Sequence, residues 1–163
     1  SSNELLAKKY EHPKVKKLIE IVIDEKNENE NIKIIVFTQF RDTAAIISRN
    51  LNKIPGIKSK VFVGQAKKQD SGLSQREQKE IIAEFSEGEI NVLCATCIAE
   101  EGLDIPEVNA VIFYESVPSA IRLIQRKGRT ARLMKGKLFI LITNSCNPPT
   151  IYALLKLPGR PYL

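Results

Sequence analysis

The chain has 163 residues and a mass of 18.3 kDa, the size of one domain with room for a core that needs no staples. With 43% hydrophobic and 27% charged residues it is not a disordered chain, and no apolar run reaches the roughly 18 residues of a membrane span. Three cysteines do not make a disulfide framework, and the polar segment Ser1 to Glu11 has no signal-peptide character, so a reducing cytosol is the expected setting. The net charge of +6 is unevenly spread. From Ser116 to Leu163 there are nine Lys and Arg and no Asp or Glu, whereas the first 115 residues hold 16 basic and 19 acidic side chains, a balance of −3. This asymmetry points to an anionic partner for the C-terminal third, either nucleic acid or a phosphate-bearing ligand.

Along the chain, helical and strand patterns alternate. Val15, Leu18, Ile19 and Val22 recur at helical spacing, with Pro13 suited to a first turn. Glu25 to Asn31 reads as a polar loop. Lys33 to Thr38 is an apolar run, hydrophobic on both faces as a strand buried in a parallel sheet must be. Arg41 to Leu51 places Ala44, Ile47 and Leu51 on one helical face. A run at Lys60 to Val63 precedes a lysine-richer loop, Gln65 to Gly72. Ser74 and Glu77 then form a capping-box pattern that opens a helix to Phe85, with a buried stripe of Gln78, Ile81, Ile82 and Phe85. Further strands are predicted at Asn91 to Thr96, Asn109 to Tyr114 and Lys137 to Thr143, with a helix from near Pro118 to about Lys127. The alternation predicts a three-layer α/β domain, a mostly parallel sheet with helices on both faces. Residues 1–163 read as one domain, with 1–12 and 147–163 as extended or flexible ends.

The chain carries no phosphate cradle of its own. The stretch nearest to a P-loop, Ala131 to Leu138, has Ala131 for the first glycine and Leu138 for the hydroxyl, and it precedes a strand instead of a helix. Asp24 and Glu25 resemble the acidic strand end of an ATPase, but they fall in a helical period and read as solvated residues at a helix end. Cys94 and Cys97 have redox or zinc spacing without a second pair, and Cys94 lies within an apolar strand, so no metal site is expected. His12, the only histidine, marks the start of the first helix.

In the basic segment Gln125-Arg126-Lys127-Gly128-Arg129-Thr130-Ala131-Arg132, the spacing of Arg129 and Arg132 is expected to put two guanidinium forks on one side of a helical turn or to fan them from a loop toward one point, either of which suits phosphate oxygens; the bland alternative is a solvated basic face. It has companions. Ile35-Val36-Phe37-Thr38-Gln39-Phe40-Arg41 resembles motif IV of superfamily 2 helicases. Ala95 to Pro106, containing Glu100-Glu101-Gly102-Leu103-Asp104-Ile105-Pro106, resembles motif V, and Gln125 to Arg132 resembles motif VI. Ser74-Gln75-Arg76-Glu77 with Phe85 and Gly88 matches the helix between them. Order and spacing agree from about Pro13 to Thr143 with the second RecA-like lobe of that superfamily. Together with Val63-Gly64-Gln65-Ala66 and Gly72 to Gln78, the pattern is most similar to archaeal Hef and its Fanconi anaemia M and Mph1 relatives.

The resemblance implies half of an enzyme: the C-terminal lobe of an ATP-dependent DNA helicase or translocase acting on forked or branched DNA in repair. ATP with Mg²⁺ would be held mainly by an N-terminal RecA-like lobe of the same polypeptide. Carried over by residue, Arg129 and Arg132 are arginine fingers, worth about 10³–10⁵ in rate, and Gln125 lies near the γ-phosphate or attacking water. Arg126 bridges toward acidic groups of the other lobe, while Gly102 and Asp104 approach the nucleotide. Ala131 departs from the usual glycine and bears on the placement of Arg132. Thr38, Gln39, Gly64, Gln65 and Thr96 stand at strand ends as nucleic-acid contacts, Lys67 and Lys68 add charge nearby, and Phe40 is expected to pack beneath motif VI. Two other readings stand beside this one: a Dicer-like RNA helicase lobe, and a nucleic-acid-binding or interaction module without catalysis.

Overall fold

A computed structural model describes residues 13–63, 75–96, 108–115, 134–144 and 150–156. Pro13 opens helix α1 (Pro13–Glu28), strand β1 (Ile34–Phe37) follows, and the order continues with α2 (Arg41–Leu51), β2 (Ser59–Phe62), α3 (Gln75–Glu87), β3 (Val92–Ala95), β4 (Val108–Phe113), β5 (Met134–Asn144) and β6 (Thr150–Lys156). The six strands form one sheet in the order β2-β3-β1-β4-β5-β6. The first five run parallel, and β6 pairs antiparallel on the edge of β5. The predicted helix from Pro118 and the N-cap Ser74 lie outside the described residues.

Every residue of β1 is buried, because the pleat sends alternate side chains into two separate cores. Ile34 and Val36 pack with Leu18 and Val22 of α1 and with Ala44, Ile47 and Leu51 of α2. Ile35 and Phe37 face the other way, toward Ile81, Ile82 and Phe85 of α3, where Phe37 stacks on Phe113 at 5.3 Å between ring centroids. Helices thus cover both faces, and the expected α/β layering is present. The stripe predicted for α3 is buried in full, Gln78 included: its Nε2 donates to the Val63 carbonyl at 2.9 Å, so the one polar group in the stripe is satisfied. Gly88 ends the helix at φ +88°, the left-handed conformation that closes a helix C-terminus.

Three features differ from the sequence reading. Helix α1 continues through Glu28, so Glu25 to Glu28 are its last turn and not a loop. Glu25 is buried, not solvated; Lys137 of β5 reaches it at 3.1 Å and Glu28 at 2.9 Å, which lets a carboxylate lie against the sheet. Asp24 is exposed as expected. The third is β6, which forms within the end expected to be extended and registers Thr150 to Lys156 against Asn144 to Leu138.

Hydrogen bonding to Glu28, and next to Glu25, raises the Lys137 pKa above the ordinary lysine range. A raised lysine pKa stabilises the fold at all pH values below the unfolded pKa and is lost only as strong alkali deprotonates the amine. Lys137→Met should therefore lower stability at pH 7 by about 1–3 kcal/mol, the penalty of a buried group stripped of its partner. Glu28→Gln, at an exposed site, should cost under about 1 kcal/mol. Urea unfolding midpoints check both, and equal losses would contradict the bridging role of Glu25.

Candidate functional site at the carboxyl edge of the sheet

Parallel register brings the carboxyl ends of four strands to one edge. Phe37 is level with Ala95 and Phe113, and Phe62 is level with Ala95. The backbone ladder runs past the strand ends: Thr38 N–H donates to the Ala95 carbonyl at 3.0 Å, Thr96 N–H to Phe62 at 3.1 Å, and Tyr114 N–H to Phe37 at 2.9 Å. After β1 the chain passes toward β2, two places to one side, whereas β4 is followed by β5 on the other side. The gap between the ends of β1 and β4 is therefore a topological switch point, the place where open α/β sheets collect ligands.

Of the predicted contact residues, Thr38, Gln39 and Thr96 fall within the described residues, and they share this edge. Thr38 is fully buried, and its hydroxyl donates to the Phe40 carbonyl at 3.0 Å, shaping the turn into α2. Gln39 is exposed, and its backbone N–H donates to the Glu115 carboxylate at 3.3 Å. Thr96 is half-buried at the end of β3. Gly64, Gln65, Gly102, Asp104, Gln125, Arg126, Arg129 and Arg132 lie outside the described residues, as do Lys67, Lys68 and Cys97.

Phe40 is 59% exposed, and the motif VI segment beneath which it is expected to pack lies outside the described residues. Phe40 also occupies the N-cap of α2 at φ −122°, ψ 139°, with no side-chain cap bond. Serine, threonine, asparagine or aspartate at an N-cap stabilises a helix by about 1 kcal/mol over an apolar residue, and burying a Phe ring contributes roughly 1.5–3 kcal/mol. Position 40 forgoes the cap bond and more than half of the burial.

Glu115, Tyr114 and Lys14 complete the edge, and the sequence offered no signal for the first two. Lys14 Nζ donates to the Tyr114 carbonyl at 2.8 Å and lies 5.1 Å over its ring, tying the start of α1 to the end of β4. Burial, and secondarily the charge of Glu115, pushes the Tyr114 phenol up to about 12. It is neutral at physiological pH and is no proton acceptor. Cys94 is fully buried, and desolvation pushes its thiol up to about 12, partly offset by a hydrogen bond with Ser59 at 3.4 Å. Among the described residues no group of three His, Cys, Asp or Glu is placed to hold a metal ion.

Residues 13–134 match the helicase conserved C-terminal domain family. The chain belongs to that family. Among solved structures it is similar to the Pyrococcus furiosus Hef helicase domain, with 54% identity and a TM-score of 0.71, over 83% of this chain and 27% of that one. Among curated relatives it is 44% identical over 135 residues to the Neurospora crassa ATP-dependent DNA helicase mph1, covering 80% of this chain and 12% of the relative. A Methanocaldococcus jannaschii protein, named as a candidate ATP-dependent RNA helicase, is 45% identical over 150 residues, covering 92% of this chain and 19% of that protein. The chain thus spans at most about a fifth of the curated relatives' length. The likeness to Hef and Mph1 drawn from Glu100 to Pro106, Val63 to Ala66 and Gly72 to Gln78 is borne out at the level of the family.

A thiol assay checks the state of Cys94. With Cys97 and Cys146 replaced by serine, the native protein at pH 8 should give no rapid reaction with a chromogenic disulfide, and one thiol should appear in urea. Rapid labelling of the native protein would show that the strand does not seal Cys94.

Proposed function

We propose that this chain is the C-terminal motor lobe of an ATP-dependent DNA helicase or translocase that acts on forked or branched DNA in repair. The observation that carries the reading is the 54% identity to the Hef helicase domain over 83% of the chain, together with the family match through residue 134. ATP with Mg²⁺ is assigned mainly to an N-terminal RecA-like lobe of the same polypeptide, because no P-loop or acidic strand-end pair is found in this sequence. Arg129 and Arg132 present guanidinium forks to the γ-phosphoryl oxygens. There they stabilise the charge that grows on these oxygens during transfer. Gln125 orients the attacking water, Arg126 pairs across the cleft as the lobes close, and Gly102 and Asp104 line the nucleotide, with Asp104 accepting from the ribose hydroxyl.

The strand crosses the carboxyl edge. Gln39 and Thr96, with Gly64 and Gln65, supply amide, hydroxyl and backbone N–H donors to phosphate and sugar, and Thr38 holds the turn that presents Gln39. Such contacts grip the backbone without regard to base sequence. Closure on ATP and reopening after hydrolysis then shift the two lobes' grips relative to each other, which moves the strand.

In the intact polypeptide, Arg129→Ala should reduce DNA-stimulated ATP hydrolysis by about 10³-fold or more while DNA affinity changes little. The chain by itself should not hydrolyse ATP. Turnover retained in the variant would refute the finger assignment. The name of the Methanocaldococcus relative favours RNA as a second reading. Competition between forked DNA and duplex RNA, at one fixed salt concentration, should favour the DNA; preference for the RNA duplex would select the second reading.

A further inference from the structure

The feature that the proposed function leaves unused is the ring of Phe40. Of the described residues only two large apolar side chains are exposed, Phe40 at 59% and Ile23 at 38%, and Phe40 alone stands on the carboxyl edge. A single exposed apolar residue is ordinary. Phe40 differs in how firmly its backbone is mounted. Its carbonyl accepts from the Thr38 hydroxyl and from Ala44 N–H, each at 3.0 Å. One residue earlier, Gln39 N–H is bound to the Glu115 carboxylate; one before that, Thr38 N–H is bound to β3 at Ala95. The turn is thus fastened to the ends of β3 and β4 as well as β1, and it holds out an aromatic ring where a capping side chain would serve the helix better.

We infer that Phe40 is a stacking platform for one base of the bound strand. The inference rests on the proposed course of nucleic acid across this edge. Asp42 in the first turn of α2 and the Glu115 carboxylate on Gln39 N–H leave this turn without a preference for phosphate, so what it offers a strand is the apolar face of the ring. Every base offers a π-face, so a ring so placed adds grip without sequence preference. A fixed backbone matters because it sets where the ring is presented and leaves only two side-chain torsions to be ordered when the base arrives. The occupant is accordingly an unpaired base of a single strand, not a paired base within a duplex, whose face is already covered by its neighbours.

The test uses the intact polypeptide and a set of single-stranded oligonucleotides in which one abasic site is walked along the sequence. Affinity is read by fluorescence anisotropy at fixed salt. The wild type should lose about 5- to 100-fold in affinity when the abasic site reaches one particular position. Phe40→Ala should bind the intact strand weaker by the same factor and be indifferent to the abasic site at that position, whereas Phe40→Tyr should behave as wild type. Losses that add independently in the variant and the abasic strand would overturn the stacking role. So would Phe40→Ala binding unchanged with a raised KM for ATP, the mark of a ring packed against the other lobe. Photocrosslinking with a halogenated strand separates the two levels. Crosslinks at residues 38–40 and 96 with additive losses would defeat only the platform, while crosslinks confined to other surfaces would defeat the edge reading as well.

Discussion

Three backbone hydrogen bonds, from Thr38 to Ala95, from Thr96 to Phe62 and from Tyr114 to Phe37, hold the ends of four parallel strands level. Everything proposed for this lobe depends on that alignment. A strand slipped by two residues would keep its buried faces but would carry its terminal polar residue some 6–7 Å from the others. Slipping by one would exchange the side chains that face the two cores, sending Ile35 and Phe37 into the layer packed around Ile34 and Val36. The two cores on either side of β1 therefore fix the register, and the register assembles the edge. Function is in this sense a by-product of burying Ile34 to Phe37 completely.

The edge differs in character from the opposite end of the sheet. There, asparagines stitch the strand entrances: Asn109 accepts from Lys33 N–H, Asn91 from Lys58 N–H and Asn52 from Ser59 N–H. These are short neutral bonds that close the structure. At the carboxyl end a carboxylate, Glu115, fastens the β1 turn, and a lysine from α1 reaches the Tyr114 carbonyl. The exposed aromatic Phe40 and the carboxylate-fastened turn thus stand at the end of the sheet where the topology reverses.

Most of the layer architecture could be read from the sequence because burial writes a period into it. The both-face apolar runs gave β1 and β3, and the i, i+3, i+4 stripes gave the three helices among the described residues, including the buried Gln78. What escaped depended on partners distant in sequence. The last turn of α1 looks like loop because Glu25, Lys26, Asn27 and Glu28 are polar, and only Lys137, more than a hundred residues on, explains a buried Glu25. Strand β6 lies among prolines that read as an end, and its pairing with β5 is antiparallel in a sheet otherwise parallel. In the site, Gln39 and Thr96 were legible as strand-end polar residues. Glu115 was not, since its role follows from a bond to a residue 76 positions away. Phe40 was legible only as an aromatic in a motif; its exposure belongs to the three-dimensional turn.

The central claim is that this lobe lends cations to a triphosphate held elsewhere in the polypeptide while its sheet edge carries the strand. A structure of the intact polypeptide with a hydrolysis transition-state mimic and a DNA strand tests it most directly. The Arg129 and Arg132 guanidinium groups should lie within about 3 Å of the mimic's oxygens, with the strand over Gln39 and Thr96. Closed lobes with both guanidinium groups turned to solvent would contradict it.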